Sequence, residues 1–489
     1  MEHDIAIIGA GASAISLLAA LKEEALAASL SAISIALWGR PESFATGEVF
    51  GTATPEHGVN TPATMLGLTE TDPVAFVRWL EGQGRTGDSY PPRTAMGRFL
   101  AQSYGRLLGG RQLDVTEMRE EAVDLQASAA GAFAVLGAHG ARASARCVVL
   151  CLGAVAGGGL TQFAGLRGYR ARGADVGPID GARVLIAGAG PSAIDAFRNA
   201  MAGGAREVHM FSRHGYPPTC QSAAPSYLPS QFTWPTLQGQ WRAGALGMKR
   251  ALVLFRRELR EIGPRGEYEP AMTRLERDGL TSCLSYLLQR ARQAELPVQD
   301  LLVTTRPYMH RLWGGLRIDD RRRFDHEWRS LWSAWRHPVP IVVYHQLLDA
   351  ARAGRLRLHR VVQAPMHADG QFSIRPLVGR SVHAPVLLDA TGGAACVDAD
   401  AMPLLRALHC RGMVDVHPCG GIDIDPMSLQ CRVRGRHVRG LFALGPVTRG
   451  ALFSTNAQWF NARCAAHWAR WWVTEAACAK RAGPGAQAR

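Results

Sequence analysis

Residues 4–21 read DIAIIGAGASAISLLAAL, an apolar strand followed by a glycine-rich turn and a helix of small residues. The turn places Gly9, Gly11 and Ala14 in the spacing G-x-G-x-x-A. The first glycine permits a tight turn, the second lets the backbone approach a pyrophosphate, and Ala14 lets the helix pack closely on the strand. The helix N-terminus, with Ser13 in its first turn, favours a phosphate. The stretch predicts a Rossmann-type nucleotide site, the alternative being a glycine-rich turn without a ligand.

The same design recurs at 182–200, ARVLIAGAGPSAIDAFRNA, which contributes Gly188, Gly190, Ser192 and Ala193. Two such segments far apart in the chain predict two dinucleotide-binding units rather than one. The class we expect is therefore α/β, with two Rossmann-type domains.

The strands after the two turns end differently from the common pattern, which places an acid on the ribose 2′-hydroxyl. The strand at 33–40, ISIALWGR, ends in Gly39 and Arg40, so either Glu42 just beyond binds the ribose or the ribose is held differently. The strand at 207–215, EVHMFSRHG, ends in Arg213 and His214. An arginine at this position favours a 2′-phosphate and hence NADPH over NADH. The alternative is that Arg213 is a solvated loop residue.

Composition excludes several classes of protein. The chain has 489 residues, of which 47% are hydrophobic, and a net charge of +14 that comes almost entirely from arginine. Because the arginines are spread along the chain and no nucleic-acid module accompanies them, we expect no nucleic-acid partner. The chain has no apolar run long enough for a membrane span, and its N-terminus lacks a basic signal region. We therefore expect no membrane association and a cytoplasmic location.

The ten cysteines include no C-x-x-C pair, and no cysteine–histidine spacing suits zinc. Cys147 and Cys151 flank an apolar strand, where a redox pair is the less favoured interpretation and small buried core residues the preferred one. The sequence thus predicts no metal site, and it argues against a disulfide reductase.

From 216 to 335 the pattern changes to helical stripes, the first formed by Leu252, Phe255, Leu259 and Ile262. A second stripe contains Leu284, Leu287, Leu288 and Ala291. This predicts a mainly helical, tryptophan-rich insertion. Its tryptophans could line a pocket, but the spacing of Trp328, Trp332 and Trp335 favours one face of a helix in the core. His326 and His337 receive no catalytic role.

Three further segments resemble a known family. They are GEVFGTATPEHGVNTPATMLGLTETDPVAFVRWL at 47–80, YPPR at 90–93 followed by GRFL at 97–100, and GLFALGPVTRGALFSTN at 440–456. Together they resemble the FAD/NAD(P)-binding flavoproteins related to class B flavin-dependent monooxygenases and N-hydroxylases. The resemblance covers the chain from beginning to end, apart from the insertion.

The resemblance implies an FAD domain built from both ends of the chain, with an NADPH domain inserted between them. Asn60 would lie near the flavin, and Arg93 and Asn456 belong to the same motifs. Gly445 and Pro446 would lie where a final strand meets a helix whose N-terminus points at the flavin. Asp389-Ala390-Thr391-Gly392 resembles the strand by which such proteins cross between domains.

The expected boundaries are 1–175 for the first part of the FAD domain, 176–345 for the NADPH domain with its insertion at 216–335, 346–478 for the second part of the FAD domain, and 479–489 for a disordered tail. The expected activity is that of an FAD- and NADPH-dependent monooxygenase acting on a small-molecule substrate and O₂.

In such an enzyme a C4a-(hydro)peroxyflavin would hydroxylate a small amine or amino-acid-derived metabolite, in specialised metabolism. Because the cofactor carries this chemistry, no catalytic residue is assigned. The alternatives are an FAD-dependent dehydrogenase or oxidase without oxygen transfer, and a non-catalytic nucleotide-binding partner protein.

Overall fold

The computed structural model of the protein describes residues 2–30, 32–128, 131–154, 159–171, 176–242, 247–391 and 402–482, with side chains as far as Cys478. The chain divides into two compact units, one formed by Met1–Gly158 and Gly393–Arg489 and the other by Gly159–Gly392. The strands, in chain order, are β1 (Glu2–Ile8), β2 (Ile33–Trp38), β3 (Leu113–Met118), β4 (Ala122–Ala127), β5 (Phe133–Gly137), β6 (Arg142–Leu150), β7 (Tyr169–Arg170), β8 (Arg183–Ala187), β9 (Glu207–Ser212), β10 (Leu356–Arg360), β11 (Met366–Ala368), β12 (Gln371–Ile374), β13 (Val382–Ala384), β14 (Val386–Asp389), β15 (Gln430–Val433) and β16 (Arg436–Ala443).

The α-helices, in chain order, are α1 (Ala12–Ala27), α2 (Glu48–Gly51), α3 (Ala75–Gly82), α4 (Arg93–Leu108), α5 (Pro191–Ala202), α6 (Trp234–Arg242), α7 (Met248–Ile262), α8 (Tyr268–Asp278), α9 (Leu280–Arg292), α10 (Pro297–Thr304), α11 (Met309–Gly315), α12 (Ile318–Arg323), α13 (Arg329–Arg336), α14 (Ile341–Arg352), α15 (Pro403–Cys410), α16 (Arg449–Leu452) and α17 (Gln458–Ala482). One turn of π-helix spans Phe324–Trp328 between α12 and α13.

The first unit is built on a parallel sheet in the order β16-β6-β1-β2-β3. Ile5, Ile7, Ile35 and Val148 in its central strands are fully buried, because parallel sheets are covered on both faces. In this sheet β1 has β2, the next strand of the chain, on one side and β6 on the other. The strand order therefore reverses at β1. In open α/β sheets, the carboxyl end of the strands at such a point is where ligands bind.

The second unit repeats this plan with a parallel sheet in the order β10-β9-β8-β14-β7. Here the order reverses at β8. A separate antiparallel sheet, β11-β12-β13, belongs to the same unit. The prediction of an α/β fold with two Rossmann-type domains is therefore confirmed.

The insertion is helical, as predicted, from α6 to α13, but the buried face of α7 differs from the predicted stripe. Its buried residues include Leu254, Glu258 and Ile262, whereas Leu252, Phe255 and Leu259 are only half-buried. The second predicted stripe, on α9, is buried as expected. The insertion's tryptophans are divided: Trp313 and Trp335 are core residues, and Trp241 is 41% exposed.

Glu258 is buried because its carboxylate accepts hydrogen bonds from part of the segment 216–233. This segment is irregular and has no helix or strand of its own. Its carboxylate accepts hydrogen bonds from the backbone N–H groups of Ser230 (3.0 Å), Gln231 (2.6 Å) and Phe232 (2.6 Å), and from the Tyr227 hydroxyl. For the backbone N–H groups of residues 230–232, this carboxylate is therefore the acceptor that a ladder or a helix would otherwise supply.

The unit boundaries, at 158/159 and 392/393, differ from the predicted 175/176 and 345/346. Residues 346–392 fall in the second unit because β10 pairs with β9 and β14 pairs with β8. The new boundary directly follows Asp389-Ala390-Thr391-Gly392, the predicted crossing strand.

At the C-terminus α17 continues to Ala482, so the predicted tail begins as helix, and its remainder, 483–489, lies outside the described residues. Within the described parts of the chain, no helix combines the length and apolarity needed to cross a membrane.

We expect Glu258→Ala to lower the free energy of unfolding by about 2–4 kcal/mol, because it leaves buried N–H groups without an acceptor. Hydrogen–deuterium exchange should accelerate in residues 226–233. The control is Glu261→Ala on the same helix, whose exposed carboxylate accepts a hydrogen bond from the Ser230 hydroxyl, and which should change stability by less than about 0.5 kcal/mol. Equal effects of the two substitutions would contradict the role given to Glu258.

Candidate functional site

The first glycine-rich turn is shaped by the strand beside it. Gly9 has φ +104°, and a Cβ there would lie 2.2 Å from the carbonyl oxygen of Cys151 at the end of β6. Gly11 has an extended φ of −97°, but a Cβ on it would lie 3.2 Å from the Cα of Gly47. Ala14 is fully buried where α1 packs on the sheet. The packing of the protein itself therefore explains why each of these positions holds a small residue.

Helix α1 begins at Ala12, and no side chain caps its N-terminus. The first N–H groups of a helix have no partner within the helix and carry the positive end of its dipole. They are therefore available to an anion at this turn, as the sequence predicts for a pyrophosphate.

The C-terminal part of the chain completes the same turn. Gly445 follows β16 and is buried with φ +89°, and a Cβ on it would lie 2.5 Å from the hydroxyl oxygen of Ser13. Pro446 begins a single 3₁₀ turn, Pro446–Thr448, in which the Thr448 hydroxyl donates to the Gly445 carbonyl (2.8 Å). The predicted strand-to-helix junction is present, but two short turns, not a long helix, follow the strand directly.

The long helix α17 starts beside α1. The Gln458 amide donates to the Ser16 hydroxyl (2.7 Å), both side chains being buried, and the Asn461 amide donates to the Thr455 carbonyl (3.0 Å). The buried Thr455 hydroxyl and Asn461 amide oxygen have no hydrogen-bond partner among the described residues. Unpaired buried polar atoms fit a polar ligand bound beside this helix start. Asn456 itself is exposed.

The structure brings together the motifs that contain Asn60 and Arg93. Val59 and Ala63 donate backbone hydrogen bonds to Pro91 (3.1 Å) and Ser89 (2.9 Å), so Asn60 lies in the middle of a paired segment and is half-buried. The Arg93 Nε donates to the carbonyl of Gly58 (3.0 Å). Arg93 therefore fixes the loop that presents Asn60, and its contact with a cofactor stays a prediction.

The end of β2 shows why no acid occupies the expected ribose position. A Cβ on Gly39 would lie 2.6 Å from the Cβ of Ala10, so a larger residue would collide with the glycine-rich turn. Arg40 forms an ion pair with Glu121 (2.9 Å). Glu42 is exposed in the short turn Pro41–Ser43, where its contact with the ribose stays a prediction.

In the second glycine-rich turn, which lies in the second unit, one of the two glycines faces open space. Gly188 has φ +131°, and a Cβ there would lie 2.4 Å from the carbonyl oxygen of Ala390 at the end of β14. Gly190 is extended (φ −89°), and a Cβ on it would meet nothing within 4 Å. Helix α5 begins at Pro191 without a side-chain cap, Ser192 is exposed, and Ala193 is fully buried. The protein's own packing thus does not require a glycine at position 190, and the approach of a pyrophosphate to it stays a prediction.

A group of cations lies at the carboxyl end of β9. Arg213 is exposed, and the Arg360 Nε, at the end of the neighbouring strand β10, donates to the Arg213 carbonyl (3.3 Å). The His214 ring stacks on Tyr216. Burial, followed by the positive charges of Arg213, Arg360 and His326, lowers the pKa of His214. The sequence identified Arg213 as a candidate but missed Arg360. The signal for Arg360 was the stretch LRLHR at 356–360, which reads as a strand ending in arginine.

Cys147 and Cys151 give no sign of redox chemistry. Cys147 lies on β6, Cys151 directly follows it, and both are buried; burial raises the pKa of Cys147 and raises that of Cys151 to about 12. Such thiols are poor nucleophiles at neutral pH. In the described part of the chain, no group of three or more histidine, cysteine, aspartate or glutamate side chains could hold a metal ion.

The first unit also contains a cavity of about 230 Å³ that the sequence did not indicate. Its lining includes Met65, Thr69, Trp459 and an ion pair between Glu70 and Arg463 (3.6 Å).

Comparison with known proteins agrees with this geometry. Residues 6–155 match the family described as FAD-NAD(P)-binding. No curated protein sequence matches the chain. The chain is similar in structure to the reduced form of the Pseudomonas aeruginosa ornithine hydroxylase PvdA, with a TM-score of 0.61 and 14% identity over 97% of this chain and 100% of that one.

Two further solved structures are similar over most of their length. The Kutzneria sp. 744 ornithine N-hydroxylase KtzI, solved with reduced FAD, NADP⁺ and L-ornithine, gives a TM-score of 0.58 at 15% identity, over 97% of this chain and 100% of that one. The Erwinia amylovora cadaverine monooxygenase DfoA, bound to FAD, gives 0.58 at 12% identity, over 97% and 95%. The chain therefore has the two-domain fold of flavoprotein monooxygenases, and its residues 6–155 match the FAD-NAD(P)-binding family.

Proposed function

We propose that the protein is an FAD- and NADPH-dependent monooxygenase that hydroxylates a small amine or amino-acid-derived metabolite. The observation that carries this proposal is that each parallel sheet has a glycine-rich turn at the point where its strand order reverses. The helix that follows each turn has no side-chain cap at its N-terminus. The solved structures with the same fold include hydroxylases of ornithine and cadaverine, which supports both the reaction and the substrate class.

FAD would bind in the first unit, at the turn formed by Gly9, Gly11, Ser13 and Ala14. The unpaired N–H groups of α1 would hold its pyrophosphate, and Gly445 packs against Ser13 in the first turn of this helix. Glu42, Asn60, Arg93, Pro446 and Asn456 are the other residues proposed to line this site. When bound, FAD supplies hydride acceptance and oxygen activation.

NADPH would bind in the second unit. The N-terminus of α5, with Gly190, Ser192 and Ala193, would hold its pyrophosphate, and Arg213 would pair with its 2′-phosphate. In this reaction the chain's own residues bind and orient the two dinucleotides and keep water from the reacting atoms, and no acid–base residue is assigned.

The proposed activity is tested by the fate of molecular oxygen. We expect the purified protein to be yellow and, with NADPH and an accepted amine, to incorporate ¹⁸O from ¹⁸O₂ into the product, as measured by mass spectrometry across a panel of amines and amino acids. Reoxidation of the flavin that yields only hydrogen peroxide with every amine in the panel would favour a dehydrogenase or oxidase. A protein purified without flavin, and unable to take it up, would favour a non-catalytic nucleotide-binding role.

The position of Gly190 permits a clean test of the second dinucleotide site. Because a side chain there meets open space, Gly190→Val should leave the thermal midpoint and the FAD content unchanged. It should nevertheless raise the KM for NADPH by about tenfold or more, since it occupies the path of the pyrophosphate. The contrasting variant is Gly188→Val, which should unfold the second unit because its Cβ collides with the Ala390 carbonyl. Unchanged NADPH kinetics in Gly190→Val would remove this turn from the site.

Coenzyme preference tests Arg213. An arginine–phosphate pair contributes about 1.5–3 kcal/mol, so Arg213→Ala should raise the KM for NADPH by about tenfold or more and leave NADH nearly unchanged. Arg206→Ala is the matched control, because Arg206 is an exposed arginine next to the amino end of the same strand. Equal losses with NADPH and NADH would rule out a 2′-phosphate role for Arg213.

A further inference from the structure

Two arginines lie side by side at the carboxyl ends of neighbouring strands in the second unit. β9 and β10 are parallel, with Ser212 opposite Arg360, so Arg213 and Arg360 emerge at the same edge of the sheet. Gly215 (φ +65°) lets the turn after β9 close onto β10, since a Cβ there would lie 3.1 Å from the Cβ of Arg360. Arg360 uses its Nε to hold this turn through the Arg213 carbonyl (3.3 Å). No further hydrogen bond engages its two terminal nitrogens among the described residues.

No acid offsets these charges. Neither Arg213 nor Arg360 forms an ion pair within the described part of the second unit. Other arginines of this unit do, namely Arg183, Arg290, Arg323 and Arg329. Every charge that acts on His214 from this cluster is positive and lowers its pKa. Like charges gathered without a counter-charge repel one another, so the cluster favours an anion at this point.

We propose that Arg360 completes, with Arg213, the binding site for the 2′-phosphate of NADPH. The inference rests on the proposed use of NADPH. A phosphate monoester has a charge near −2 and three acceptor oxygens, which a single exposed arginine does not satisfy. The terminal nitrogens of Arg360 supply the additional donors.

The test uses adenosine 2′,5′-bisphosphate and adenosine 5′-monophosphate as probes, with dissociation constants measured by calorimetry on the full-length protein. Arg360→Ala should weaken the bisphosphate by about tenfold or more and the monophosphate by less than about twofold. Arg357→Ala, at an exposed position earlier on β10, is the control and should change neither constant.

A purely structural role for Arg360, through the turn it holds, would weaken both probes equally in Arg360→Ala and overturn the assignment. Arg360→Lys separates charge from turn geometry, and it should keep most of the bisphosphate affinity. If NADP⁺ binds but the variants behave as wild type, the inference fails while the proposed function stands. If the variants respond as expected but no oxygen is transferred, the proposed function fails alone.

Discussion

In each unit, the backbone at the end of one strand comes very close to the first glycine of the glycine-rich turn after a neighbouring strand. No side chain fits between them. In the first unit the contact joins Gly9 and the Cys151 carbonyl, and in the second it joins Gly188 and the Ala390 carbonyl. Each contact lies where the strand order reverses, and it fixes the turn from which α1 or α5 departs. The direction of the helix and the availability of its first N–H groups follow from this packing, and the proposed place of the pyrophosphate depends on both.

The sequence predicted what depends on local pattern. Both glycine-rich turns, the helical nature of the insertion and Arg213 can be recognised because the relevant residues are neighbours in the chain. Asn60 and Arg93 were identified only through resemblance, and the structure shows the backbone pairing that brings their segments together.

Residues whose role depends on sheet order were missed. Arg360 reaches Arg213 only because β10 lies beside β9, and Gly47 reaches Gly11 only through the folded loop. The division of the chain into units at 392/393, which differs from the predicted 345/346, also depends on sheet order, since the pairing of β14 with β8 is not encoded in either strand alone. Glu258 shows a related limit: a charged residue on an apolar face is explained only when the loop that it bonds is known.

The contact between Gly445 and Ser13 has a consequence for the order in which the protein is made. The second unit lies wholly within residues 159–392, and its five-stranded sheet is complete once that stretch has left the ribosome. At that moment the first unit still lacks β16 and α17, so the carboxyl half of β6 is an open strand edge and one face of α1 is uncovered. Open edges of this kind pair readily with other chains. The N-terminal domain, although begun first, is therefore finished last, and it is the part of the nascent chain that most needs protection from aggregation.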